Sequence, residues 1–76
     1  MEINNNDIRI IRKVFNLSTQ DMAAKLGVSI TLINYIENDH KKVSDNVRQQ
    51  LIDQFNLTPG KLNEIRGVYY TYMAAK

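Results

Sequence analysis

The sequence predicts an all-α fold, a compact bundle of five helices, and three observations carry the prediction. Apolar residues recur at helical spacing, as in Ile8, Ile11 and Phe15 and again in Val47, Leu51 and Phe55. Hydroxyl residues suited to capping a helix precede the later apolar segments at Ser18, Ser29, Ser44 and Thr58. Outside a short run near the C-terminal end, no stretch shows the alternation that a strand requires.

The elements follow in order. Residues 1–6 are polar apart from Met1 and Ile3 and read as a flexible tail, with Asn6 as a capping residue. A first helix is predicted over 7–15, where Ile10 and Val14 broaden the apolar face and Arg9, Arg12 and Lys13 supply polar positions; Asn16 suits a left-handed stop. Three later helix starts combine a hydroxyl cap with an apolar residue before it and another a turn inside: Leu17 with Met22, Val28 with Ile33, and Leu57 with Leu62. Pro59 occupies a first helical position, where its missing N–H costs nothing. Ser44 opens a further helix to about Phe55. The last helix is predicted to run unbroken through Gly67, because Leu62, Ile65, Tyr69 and Tyr72 keep a three-four-three spacing, and a glycine there costs only about 1 kcal/mol relative to alanine. The expected organisation is a tail (1–6), one domain (7–66) and an extension of the last helix (67–76).

Composition narrows the function. Seventy-six residues leave no room for a separate catalytic or sensor domain. Without cysteine there is neither a disulfide nor a thiolate metal site, which suits a reducing, cytoplasmic setting. No apolar run approaches a membrane span, and the polar start lacks the pattern of a signal peptide. A net charge of +2 permits a nucleic-acid partner without requiring one. One histidine, no glycine-rich phosphate loop and no paired acidic motif leave no constellation for an enzyme, a metal or another cofactor.

The informative segment is Ser18 to Glu37, S-T-Q-D-M-A-A-K-L-G-V-S-I-T-L-I-N-Y-I-E. Two short helices separated by about three residues form a helix-turn-helix layout. Their close crossing needs a small residue, supplied by Ala23, and the sharp turn favours a residue free to take positive φ, supplied by Gly27. Met22, Leu26, Ile33 and Ile36 close the interior.

From Ile8 to Leu62 the chain resembles the phage-repressor and Cro superfamily of helix-turn-helix regulators. The resemblance is carried by I-R-I-I-R-K-V-F-N-L-S-T-Q-D-M-A-A-K-L-G-V-S and by Ile36-Glu37 at the end of the second motif helix. It implies a lambda-repressor-like, sequence-specific binder of double-stranded DNA, of the kind found as repressors in phages and mobile elements. The helix from Ser29 to about Asn38 would read the major groove with Ile30, Thr31, Leu32, Asn34 and Tyr35 on or near its base-facing side. Phosphates would be met by Ser18, Thr19 and Gln20 at the start of the preceding helix, by Ser29 and Asn38, and by the loop of His40, Lys41 and Lys42. Relatives often carry a phosphate-binding glutamine at the position of Thr19; here the glutamine is Gln20. The resemblance also implies an ion pair between Arg12 and Glu37.

The predicted reading face departs from the usual chemistry. Base edges are read by hydrogen-bonding side chains, whereas Ile30, Leu32 and Tyr35 offer chiefly apolar surface, leaving Thr31 and Asn34 as the polar readers. Two readings follow: a transcriptional regulator on a pseudo-palindromic operator, or a helix-turn-helix-derived module that binds another regulatory protein through Ile30, Leu32 and Tyr35. Affinity for a genomic site normally requires two such units, so a homodimer is expected. The stripe Leu62, Ile65, Tyr69, Tyr72 and Met73 is the candidate dimer surface; packing onto its own domain is the alternative.

Overall fold

The computed structural model describes residues 1–74; the last two positions of the expected 67–76 extension lie outside the described residues. Within them the chain forms α1 (Asn5–Val14), α2 (Thr19–Leu26), α3 (Ile30–Glu37), α4 (Asp45–Phe55) and α5 (Pro59–Val68), followed directly by a π-helical segment (Tyr69–Met73). None of these helices is long and apolar enough to cross a membrane.

Each helix starts on the cap its sequence provides. Ser18, Ser29, Ser44 and Thr58 accept hydrogen bonds from the backbone N–H three residues on. The first helix departs from expectation. Asn4, rather than Asn6, caps α1, and its side chain accepts from the Asp7 N–H while the Asp7 carboxylate accepts from the Asn4 N–H. Ile3 is buried in the core. Ile3, Asn4 and Asn5 thus take part in the fold, where an apolar anchor lies one residue before a reciprocal cap.

The helix stops share one geometry as well. Asn16, Gly27, Asp39 and Asn56 follow α1, α2, α3 and α4, and all have positive φ, from 51° to 69°. After α1, α2 and α3 the next two N–H groups turn back onto the final carbonyls: Leu17 to Arg12, Val28 to Ala23 and His40 to Tyr35, each beside a shorter closure. A Cβ at Gly27 would meet nothing within 4 Å, so the glycine serves the left-handed backbone rather than a tight approach.

Around these ends a single core assembles. Ile8, Ile10 and Ile11 make α1 the central helix, which packs against α3 and α5, while α2 packs against α3 and α4. Met22, Ala23, Leu26, Ile33, Ile36, Val47, Leu51, Phe55, Leu57, Leu62 and Ile65 complete the interior. At about 1.5–3 kcal/mol for each large aliphatic side chain withdrawn from water, this burial is the main force for folding.

The last helix runs through Gly67 as expected, but its winding changes beyond Val68. At Tyr69 the winding changes from α to π, and the register advances more slowly around the axis. Leu62 and Ile65 are buried and Tyr69 is half-buried, but Tyr72 is 73% exposed and Met73 is also exposed. The five-residue stripe therefore breaks in two. Its first part belongs to the domain's own core, and only Tyr72 and Met73 remain as surface, next to exposed Val68.

Candidate nucleic-acid interface

The turn at Gly27 sets α3 against α2, with Ile33 and Ile36 pointing into the core. Residues on the opposite side of the helix from that pair are left outside. Ile30, Thr31, Asn34, Tyr35 and Asn38 are exposed, and their spacing places them along one face of α3. Leu32 is half-buried and packs against the core, so the expected apolar trio is not a continuous patch. What remains is Ile30, 42% exposed, and Tyr35, 51% exposed, interleaved with the polar Thr31 and Asn34.

Glu37 fixes how this face is presented. The Arg12 guanidinium donates from Nε to Oε2 and from Nη2 to Oε1, both at 2.8 Å, which is the two-pronged geometry that suits a carboxylate. A third donor of Arg12 reaches the Leu17 carbonyl at 3.1 Å, so one side chain connects the end of α1, the start of α2 and the end of α3. Hydrogen bonding to Glu37 holds the Arg12 proton above its ordinary pKa, ahead of the opposing effect of burial. Arg9 joins from the same helix, donating to the Glu37 carbonyl at 2.6 Å and lying 3.5 Å from its carboxylate. The pair implied by family resemblance is therefore present; the contribution of Arg9 could have been suspected from its i, i+3 spacing to Arg12.

The candidate phosphate groups lie at three places. At the start of α2, the Ser18 hydroxyl accepts from the Asp21 N–H and the Ser18 N–H donates to the Asp21 carboxylate. The bond from the Ser18 backbone, followed by that from its hydroxyl, holds the Asp21 carboxyl below its usual range. The amides of Thr19 and Gln20 have no partner among the described residues at that helix end; Gln20 is exposed and Thr19 half-buried. At the start of α3, the Ser29 hydroxyl is occupied by the Leu32 N–H, with no acidic residue in the first turn. Beyond α3, Asn38 returns its amide to the Asn34 carbonyl at 2.9 Å, and the exposed residues His40, Lys41 and Lys42 follow. The His40 ring stands edge-on to Tyr35 at 6.1 Å, joining the loop to the exposed face of α3.

Two connections had no counterpart in the sequence reading. Asp7, 1% exposed, receives both prongs of Arg66, at 2.8 and 2.6 Å, and thereby locks α1 to α5. Its hydrogen bonds to Asp7 raise the Arg66 pKa. Asn5 reaches the loop after α3 through several hydrogen bonds. Residues 59 and more than 30 positions apart in these pairs leave no local signal, and each looked like ordinary polar surface.

Comparison with known proteins agrees with this construction. No curated protein and no solved structure matches the chain significantly. A family model described as helix-turn-helix matches residues 8–62, the span from the first buried isoleucine of α1 to the first buried leucine of α5. With the turn at Gly27, the Arg12–Glu37 pair and the exposed face of α3 all inside that span, the chain belongs to the helix-turn-helix family of the phage-repressor and Cro type, whose members are DNA-binding regulators.

Proposed function

We propose that the chain is a sequence-specific transcriptional regulator, a repressor of the phage or mobile-element type, that lays the exposed face of α3 in the major groove. The observation that carries the proposal is the continuity of Ile30, Thr31, Asn34, Tyr35 and Asn38 with the basic loop of His40, Lys41 and Lys42. Thr31 and Asn34 supply hydrogen bonds to base edges, and the methyl groups of Ile30 suit thymine. The unpaired amides at the start of α2, with Ser18, Thr19 and Gln20, Ser29 at the start of α3, and the loop lysines supply phosphate contacts that set the register. The partial burial of Leu32 favours this reading over a protein-binding patch.

Selection from random duplexes at low salt tests it. Enrichment of a defined site is expected, and no enrichment would return the protein-binding reading to first place. Thr31→Ala should flatten the preference at one base position by about 1–3 kcal/mol. Lys41→Ala and Lys42→Ala should weaken all sequences alike and reduce the salt dependence.

The operator is proposed to be pseudo-palindromic and the regulator a homodimer. Exposure of Val68, Tyr72 and Met73 supports a contact there, since Leu62 and Ile65 are occupied in the core. Sedimentation across a concentration series should show Tyr72→Ala with Met73→Ala shifting mass towards the monomer. An unchanged mass would remove that surface.

A further inference from the structure

The segment between α3 and α4 has no regular structure, yet one side chain ties its length together. Asn5, the first residue of α1, donates from Nδ2 to the Asp39 carboxylate at 3.2 Å and to the Lys41 carbonyl at 2.9 Å, while its Oδ1 accepts from the Val43 N–H at 3.1 Å. The amide's two hydrogens and its oxygen are all used. Its orientation is unambiguous, because turning it over would set oxygen against a carboxylate and a carbonyl. The contacts alternate along the loop, at residues 39, 41 and 43, and enclose the two lysines between them. The anchor is itself rigid: Asn5 sits between Asn4 and Asp7, which bond to each other, and Asp7 is held by Arg66. Asp39, at the other end, has φ of 61°, a conformation that Asn5 helps to hold by bonding its carboxylate. The backbone N–H groups of Lys41 and Lys42 have no partner among the described residues, and both lysines are exposed.

We infer that Asn5 is a positioning residue that holds the His40–Lys42 loop ready for a DNA phosphate, presenting the Lys41 and Lys42 amides and ammonium groups together. The inference rests on the DNA-binding reading above. A loop ordered when the protein folds does not have to be ordered when it binds, which tightens association without adding a contact. Asn5 itself touches no DNA in this scheme. Its removal acts on every sequence equally, because phosphate contacts position the protein and base contacts specify the site.

The test uses the full chain and the duplex recovered by selection. Asn5→Ala should bind about tenfold more weakly, the scale of losing roughly one net hydrogen bond's worth of ordering, with the preferred sequence unchanged. In a chain already carrying Lys41→Ala and Lys42→Ala, the same substitution should have a smaller further effect, since only the two backbone amides remain to be positioned. Independent, multiplying losses would overturn the inference, as would a changed base preference. Hydrogen exchange of the free protein reads the tether directly. The Val43 amide should lose protection in Asn5→Ala, which removes the oxygen that accepts from it. Unchanged protection in Asn5→Ala would overturn the tether whatever the DNA result. A wild-type chain that binds no duplex would instead overturn the DNA reading, and the phosphate role with it, while the exchange result still decides whether Asn5 orders the loop.

Discussion

Two buried carboxylates link distant helices of this molecule, and they are held differently. Glu37, at the end of α3, has two arginines, with Arg12 bonded through both prongs and Arg9 3.5 Å away. Asp7, near the start of α1, has Arg66 alone among the described cations, and that side chain is 34% exposed. The first arrangement contains a reserve cation; the second does not. The orientation of α3 thus rests on a contact with a second cation beside it, whereas the polar link between α5 and α1 rests on one residue.

The largest expected effect tests the undefended side. Arg66→Ala strands the Asp7 carboxylate in the core and should cost about 3 kcal/mol in urea denaturation, the low end for breaking a buried pair because a third of Arg66 already meets water. Replacing both members with apolar residues should cost less than removing Arg66 alone. If it does not, the pair contributes attraction rather than merely avoiding an unpaired charge.

A smaller loss is expected at the defended site. Arg12→Ala should cost about 1–2 kcal/mol, since Arg9 remains to neutralise Glu37. Removing Arg9 should hurt more in that background than in the wild type. Additive losses would abolish the distinction between the two sites.

The exposed carboxylate of Asp21 supplies the third comparison, since its exchange of bonds with Ser18 repeats that of Asp7 with Asn4 at the surface. Ser18→Ala should cost about 1 kcal/mol, the usual value of an N-terminal cap. Acid should reveal the smallest effect. The folded-state pKa of Asp21 lies below its unfolded value, so the unfolded chain binds more protons in that window. The stabilisation is present above the usual carboxylate range and is lost as pH falls through the lowered folded value. The melting difference between wild type and Asp21→Asn should shrink over that interval and stay constant at neutral pH.

These contrasts also separate what could be read from sequence from what could not. Ser18, Ser29, Ser44, Thr58 and Gly27 act on their neighbours within a few positions, so the helix starts and the critical turn were legible. The Arg12–Glu37 pair was accessible only through family resemblance. Asp7 with Arg66, and Asn5 with the loop, join distant segments through residues whose types are common on any surface. Ile3 was mistaken for tail because its immediate neighbours are polar. The stripe Leu62, Ile65, Tyr69, Tyr72 and Met73 divides for another reason: its spacing assumes α-helical winding throughout, whereas the winding is π from Tyr69 and Tyr72 is exposed. On α3 the spacing is enough to place Ile30, Thr31, Asn34 and Tyr35 outside, but it leaves open how far Leu32 tucks under the motif, because a helical wheel does not show how far neighbouring helices overlap the rim.

Gly67 has a mechanical consequence at this same junction. A Cβ there would meet nothing within 4 Å, so close packing does not require a glycine, and the residue leaves a weak point between the well-packed α5 and the π segment. Beyond it, the Asn6–Tyr70 hydrogen bond provides a lateral tether and Tyr69 a partly buried foot. This junction is therefore expected to open before the core helices do, which hydrogen exchange would read. The exposed side chains of Tyr72 and Met73 thus lie across a glycine from the core helices, so substitutions there should leave the packing of α1 and α3 unchanged.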